Sequence, residues 1–406
     1  MAIINITNRR QESGGNEEVD RRIARLRWLI YALALLSSLL QSAIAPLLPS
    51  YAHRFQLGGV QIAALLAATG IAALIISLPA GALSDRFGAR VLTLWSGWLI
   101  VAATLGQAFA PSFAVLLASR VVFGFGYAIV WTAALSWLAR ASGEETSLAG
   151  TITASGFGCI IGPAFSGFIA QYFGLAAPFV VATMLMVAVT VLLTTIHLEG
   201  ASSVERTSVI ATVRAAAADL KVLGATVAVA IAGASTALVT LIAPLELHDS
   251  GVSEGSIGLA FSAAAVMFIL GSAATRRAGL PAIRLKTVFG AGLALVLVIT
   301  LATASAAPLF VVAMLCASSA VRSVLWAVGY PLGASGANRA AVGLGVVMGL
   351  LNLVWALATT VSPLLAGALM SPLGARGTFA IAQVVLGAAL VIGWLAFRVR
   401  RGALAH

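Results

Sequence analysis

The sequence predicts an all-α membrane protein, with twelve transmembrane helices in two six-helix, pseudo-symmetric halves. Three observations predict it. The 406 residues are 61% apolar and 9% charged, with a mean hydropathy of +1.05, which excludes an ordinary water-soluble domain. The apolar residues come in continuous runs of about twenty, long enough to cross roughly 30 Å of hydrocarbon as helices, and lack the alternation of a membrane barrel. Landmarks of the first half also return in the second. Ile44-Ala45-Pro46-Leu47 recurs as Ile242-Ala243-Pro244-Leu245, an offset of 198. Pro163 and Gly167 recur as Pro363 and Gly367, and Gly174 and Phe179 as Gly374 and Phe379, an offset of 200. Several matches at one period describe a duplicated unit.

Taken in order, residues 1–26 carry both signs of charge and no cleavage-like end, so they read as a flexible cytoplasmic tail. The first half, 27–197, holds expected spans at 27–49, 61–83, 90–110, 112–138, 149–171 and 175–197. A polar linker, 198–221, follows; its Ser208–Arg214 stretch suits a short interfacial helix. The second half, 222–397, holds spans at 222–246, 255–275, 286–306, 308–332, 341–370 and 376–397, and residues 398–406 form a second tail. An even number of spans puts both ends on one side. Twenty of the 24 Lys and Arg residues then fall on that side, which the positive-inside rule makes cytoplasmic. The same asymmetry explains the net charge of +11 without a nucleic-acid partner. Cys159 and Cys316 both lie inside apolar runs, so they read as packing residues and not as a disulfide.

Between the second and third runs stands Gly81-Ala-Leu-Ser-Asp85-Arg86-Phe-Gly88-Ala-Arg90. One acid and two bases do not belong in hydrocarbon, where each costs about 2.5–3.5 kcal/mol. The stretch is therefore expected to be a tight turn at a membrane face. It resembles the loop signature between the second and third helices of the major facilitator superfamily, with Ala89 standing where a basic residue is usual. The resemblance implies that Gly81, Asp85, Arg86, Gly88 and Arg90 form a conformational switch loop. It also implies that substrate sits between the halves near mid-membrane while they rock about it.

Two further stretches extend the resemblance. Arg120 in the fourth run lies roughly 12 Å into the bilayer at 1.5 Å per residue. Arg120, Gly124, Tyr127 and Trp131 share one helical face. This stretch resembles the fourth-helix motif of proton-coupled antiporters, whose arginine is implicated in coupling, although Phe123 replaces a polar residue. A structural arginine bonded to backbone carbonyls is the alternative. Gly158-Cys-Ile-Ile-Gly162-Pro163-Ala-Phe-Ser166-Gly167 resembles the antiporter motif of drug-efflux branches. Small residues four apart let helices approach closely, and proline favours a bend.

Other polar and aromatic residues stand at useful depths. Gln41 is level with Arg120, and Arg322, Trp326, Asn352 and Trp355 are candidates for lining the cavity from the second half. None of the thirteen acids lies deep in a span, so Glu246, at the far end of the seventh run, is the best remaining proton acceptor. No metal-ligand cluster, nucleophile–base set or nucleotide loop appears, so no cofactor, metal or catalytic residue is expected. The function expected is secondary active transport by alternating access: proton-coupled efflux of a small amphipathic compound, by a monomer in the inner membrane. A facilitator or importer of a small organic solute stands beside it, as does a non-transporting membrane sensor or membrane enzyme.

Overall fold

The computed structural model describes residues 2–142, 145–198, 219–278, 285–302, 304–305, 307–339 and 344–403. Every regular element among them is a helix. The first span is Ala2–Ser42, continued past Ala43 by Ile44–Phe55. The second is Gly59–Phe87 and the third Ala89–Ala108. The fourth runs from Phe113 to Ser142 through a π-helical turn at Val130–Ala134. The fifth and sixth are Glu145–Phe173 and Ala177–Thr194. The second half repeats the series with Leu220–Asp249, Glu254–Arg277, Leu285–Ala302 and Pro308–Arg339. Its last two spans lie within Leu344–Ala403, which is broken at Gly374.

Ten of these helices are apolar and long enough to cross a membrane, and the broken one supplies two spans. With the shorter ninth, Lys286–Leu301, the twelve expected spans are present among the described residues. The duplication shows in the backbone too. Gly174 (φ 85°) turns the fifth span into the sixth, and Gly374 (φ 67°) turns the eleventh into the twelfth. Both adopt a conformation that costs an L side chain strain and glycine very little. Pro163 and Pro363 lie inside the fifth and eleventh helices, at the same offset.

Two expectations are corrected. The tail at 1–26 was expected to be flexible, yet it is helical from Ala2 and continuous with the first span. Glu18 and Arg22, one turn apart, pair at 2.6 Å. The Gly81–Arg90 stretch was expected to turn between spans ending at 83 and starting at 90, yet the second helix runs to Phe87 and the third starts at Ala89. The turn is Gly88 alone (φ 88°, ψ 141°). Charges in a helix's last turn stand at headgroup level, so they need no loop to escape hydrocarbon. The linker's residues 199–218 lie outside the described residues, with the expected Ser208–Arg214 helix among them.

Within the first half, the first span packs on the fifth, the second on the fourth, and the third on the fourth and sixth. In the second half the seventh packs on the tenth and eleventh, and the eighth and ninth pack on the tenth. The halves meet along two seams, second against eleventh and fifth against eighth. The face from which the first span starts is the proximal face, and the opposite one is distal. One large apolar core joins the halves. Near the proximal face each half keeps its own small cluster: Leu92, Ile129 and Ala133 in the first, and Val222, Ala337 and Val347 in the second.

Candidate functional site

The fourth helix carries the first cluster of candidate residues. Gly124 has no side chain, so the second helix comes close; a Cβ there would stand 2.8 Å from Thr69 Cα and 2.7 Å from Ala72 Cβ. That approach brings Arg120, which has no exposed surface, against the first and second helices. Arg120 Nε donates to Leu65 O at 3.4 Å, and its Nη2 donates to Gln41 Oε1 at 3.4 Å. Gln41 Nε2 donates in turn to Thr69 Oγ1 at 3.3 Å. The guanidinium lies over the Phe123 ring, 5.2 Å from its centroid. Above it the rings continue as a ladder, Phe123 to Tyr127 at 5.9 Å and Tyr127 to Trp131 at 6.2 Å. Trp131 sits in the π-helical turn, a rare distortion that recurs where function needs a side chain re-aimed.

A second cluster comes from the eighth, tenth and eleventh helices. Trp326 stacks on Tyr330 and meets Trp355 edge-on, each at 4.9 Å between centroids. Phe268 meets Trp326 from the other side at 6.4 Å. The Tyr330 hydroxyl donates to Asn352 Oδ1 at 3.2 Å, and Asn352 is exposed. Arg322, one turn before Trp326, lies over Phe268 at 5.9 Å and donates to Ser319 Oγ at 2.9 Å. All four second-half residues singled out from the sequence therefore belong to one cluster. Tyr330 and Phe268 join it unannounced, although 322, 326 and 330 share a helical face by the same spacing that grouped the fourth-helix residues.

The antiporter-like stretch of the fifth helix has two faces. Gly158 and Gly162 turn to the first span, where a Cβ on Gly162 would stand 2.5 Å from Leu39 O and closer still to Ser42 Oγ. Pro163 and Gly167 turn to the eighth helix of the other half. A Cβ on Gly258 would strike Pro163 O, and one on Gly167 would strike Glu254 O. Beside the proline, the Ala164 N–H donates across the seam to Ser262 Oγ at 3.1 Å.

Three hydrogen bonds cross between the halves among the described residues, and all lie on the distal side of this proline or level with it. They are Ala164 to Ser262, Ser50 Oγ to Glu254 Oε1 at 2.6 Å, and Gly255 N to Gln171 Oε1 at 3.1 Å. The second–eleventh seam is tight at the same end, where a Cβ on Gly59 would lie 2.5 Å from Gly367 O. Two basic residues at the proximal ends bind within their own half. Arg90 donates to Ile196 O at 2.7 Å and Thr194 O at 2.9 Å, holding the end of the sixth helix, while Arg339 pairs with Asp219 at 3.4 Å. The hydrogen bonds seen across the seams among the described residues are thus distal or mid-seam ones.

Glu246 stands apart from both clusters. It ends the seventh helix distally and pairs with Arg376 of the twelfth at 3.7 Å, beside a small cavity lined by Val239, Met314 and Phe379. The structure places it away from Arg120, the other coupling candidate. Of the switch stretch, Arg86 is exposed over the Phe87 ring at 5.2 Å, while the side chain of Asp85 lies outside the described ones.

The family model described as Major Facilitator Superfamily matches residues 30–347. The chain belongs to the major facilitator superfamily. It is a multi-pass membrane protein. Among curated members, it is 28% identical over 201 residues to "Probable vesicular acetylcholine transporter-B" of Danio rerio, a match covering 46% of this chain and 41% of that one. It is 29% identical over 163 residues to "Multi-drug resistance efflux pump PmrA homolog" of Lactococcus lactis subsp. lactis (strain IL1403), covering 37% and 39%. The matched segments thus span less than half the length of these relatives. Among solved structures, a bacterial homologue of the human lysosomal transporter Spinster, inward-facing and occupied, superposes with a TM-score of 0.73 at 15% identity, covering 93% and 96% of the chains. The nucleoside transporter NupG superposes with a TM-score of 0.73 at 13% identity, covering 93% and 98%. At such identities these likenesses show the superfamily fold alone.

Proposed function

We propose that this membrane protein is a secondary transporter that exports small neutral or anionic amphiphiles in exchange for protons. In this reading the proximal face is cytoplasmic, the membrane is the inner membrane and the working unit is a monomer. The basic-residue asymmetry supports the orientation. The efflux-pump relative and the fifth-helix motif support export. Glu246 is the acid we assign to the proton, at the face where protons enter.

The observation that carries the substrate class is the charge of the two clusters. Each holds one arginine among aromatic rings, and no described carboxylate pairs with either. A second reading, a permanently cationic substrate, is favoured by the relatives named for acetylcholine and by the Trp326–Tyr330–Trp355 cluster. Aromatic faces hold a cation by about 0.5–2 kcal/mol. A guanidinium about 6 Å away repels it by roughly 3 kcal/mol at an effective dielectric of about 20. Repulsion wins, and the same field attracts an anion.

Export of size-matched anionic and quaternary-ammonium dyes from cells expressing the protein tests this. The anionic or neutral dye is expected to leave faster than from control cells. Export of the quaternary dye alone would overturn the substrate class.

A further inference from the structure

Among the described residues, few polar groups bridge the halves distally, and one carboxylate is central to them. Ser253 caps the eighth helix, its Oγ accepting from Ser256 N at 3.4 Å. Glu254 follows in the first turn, where a carboxylate ordinarily serves its own helix's free amides. Here it reaches instead across the seam to Ser50 of the first span at 2.6 Å. The next free amide, Gly255 N, is taken by Gln171 of the fifth helix at 3.1 Å. One free amide at this end of the eighth helix is thus held by a side chain of the first half, and its first-turn carboxylate by another. Gly255 also has no room for a larger residue: a Cβ would stand 2.5 Å from Gln171 Oε1 and 2.7 Å from the Phe168 ring.

We propose that Glu254 and Gln171 are positioning residues for transport, forming a polar latch that holds the distal gate shut and must part whenever that gate opens. The latch rests on the alternating-access reading of the protein. Its geometry suits release. Both bonds are to groups that water replaces readily once the seam widens, because Ser253 and Ser256 beside them are already at the surface. The Ala164–Ser262 bond lies deeper along the same seam, next to Pro163, and is placed to part after them. Glu254 and Ser50 are 204 residues apart in sequence, so the contact reports only on how the halves sit together.

The test is a distance measurement needing no substrate. Spin labels go on His53→Cys and Leu309→Cys, exposed distal positions of the two halves, in full-length protein lacking Cys159 and Cys316 and held in lipid nanodiscs. Loss of both latch bonds in Glu254→Ala/Gln171→Ala is expected to raise the population at the longer, distally open distance about tenfold or more. Glu254→Gln keeps an oxygen for Ser50 and is expected to restore most of the closed population. Should the double variant fold poorly, Ser50→Ala removes one bond from an otherwise untouched seam and is expected to shift the distances the same way. Two populations in the parent that neither variant alters would overturn the latch and leave alternating access intact. A single distance under every condition would overturn both.

Discussion

Gly162→Leu is expected to damage this protein far more than Cys159→Ala, three residues away on the same helix. At Gly162 a Cβ alone would sit 2.5 Å from Leu39 O and closer to Ser42 Oγ. Ordinary carbon–oxygen contacts begin near about 3.3 Å, so the first and fifth helices must part by roughly 1 Å before the rest of the leucine is placed. Parting them weakens the buried Ser38–Ser155 hydrogen bond, 2.7 Å long, and the packing of Gly158 on Leu35. Overpacking of this kind costs about 1–3 kcal/mol, and the lost hydrogen bond adds roughly 1 kcal/mol. Cys159 is exposed, and its truncation is expected to stay within about 0.5 kcal/mol. Size-exclusion thermostability in detergent reads the difference as a lower midpoint, by several degrees, for Gly162→Leu alone. Equal midpoints for the two variants would refute the claim that this stretch sets how closely the helices approach.

Other expectations follow from the same geometry. Arg322→Ala removes the cation beside the second aromatic cluster, so export of a quaternary-ammonium dye is expected to rise by about tenfold or more; unchanged selectivity would show that this arginine does not face solute. Gln41→Leu strips Arg120 of its side-chain acceptor, and a fall in transport with normal expression is expected, whereas parental rates would make Arg120 a packing residue. A cysteine at Ser253 is expected to react with an impermeant reagent in intact cells, and protection there would invert the proposed orientation. Asp85→Asn is expected to slow transport at normal expression; wild-type rates would remove the switch role assigned by resemblance.

Much of the fold was legible because hydrocarbon leaves a chain few choices. Each continuous apolar run had to become a helix, and each repeated glycine, such as Gly174 and Gly374, marked the same turn twice. That Gln41 stands level with Arg120 was legible from depth, while the hydrogen bond between them was not. What escaped were features decided by tertiary approach. The Gly81–Arg90 stretch was misjudged in extent because charge signals the membrane face, not the end of a helix. The π-helical turn at Val130–Ala134 has only the crowded Ile129-Val130-Trp131-Thr132 stretch to announce it. The Ser50–Glu254 bond joins residues with no shared pattern, so only the assembled halves reveal it. Glu246 was singled out as the best remaining proton acceptor, at the far end of the seventh run, and the structure gives it a partner, Arg376, in its own half.

The measurement that bears most directly on coupled export is lumenal pH in inside-out vesicles with an acidic interior. Adding an anionic amphiphilic dye is expected to raise lumenal pH as dye enters and protons leave, and vesicles carrying Glu246→Gln are expected to lose the response. Dye entry that proceeds equally after the pH gradient is collapsed, with no change in lumenal pH, would contradict the account.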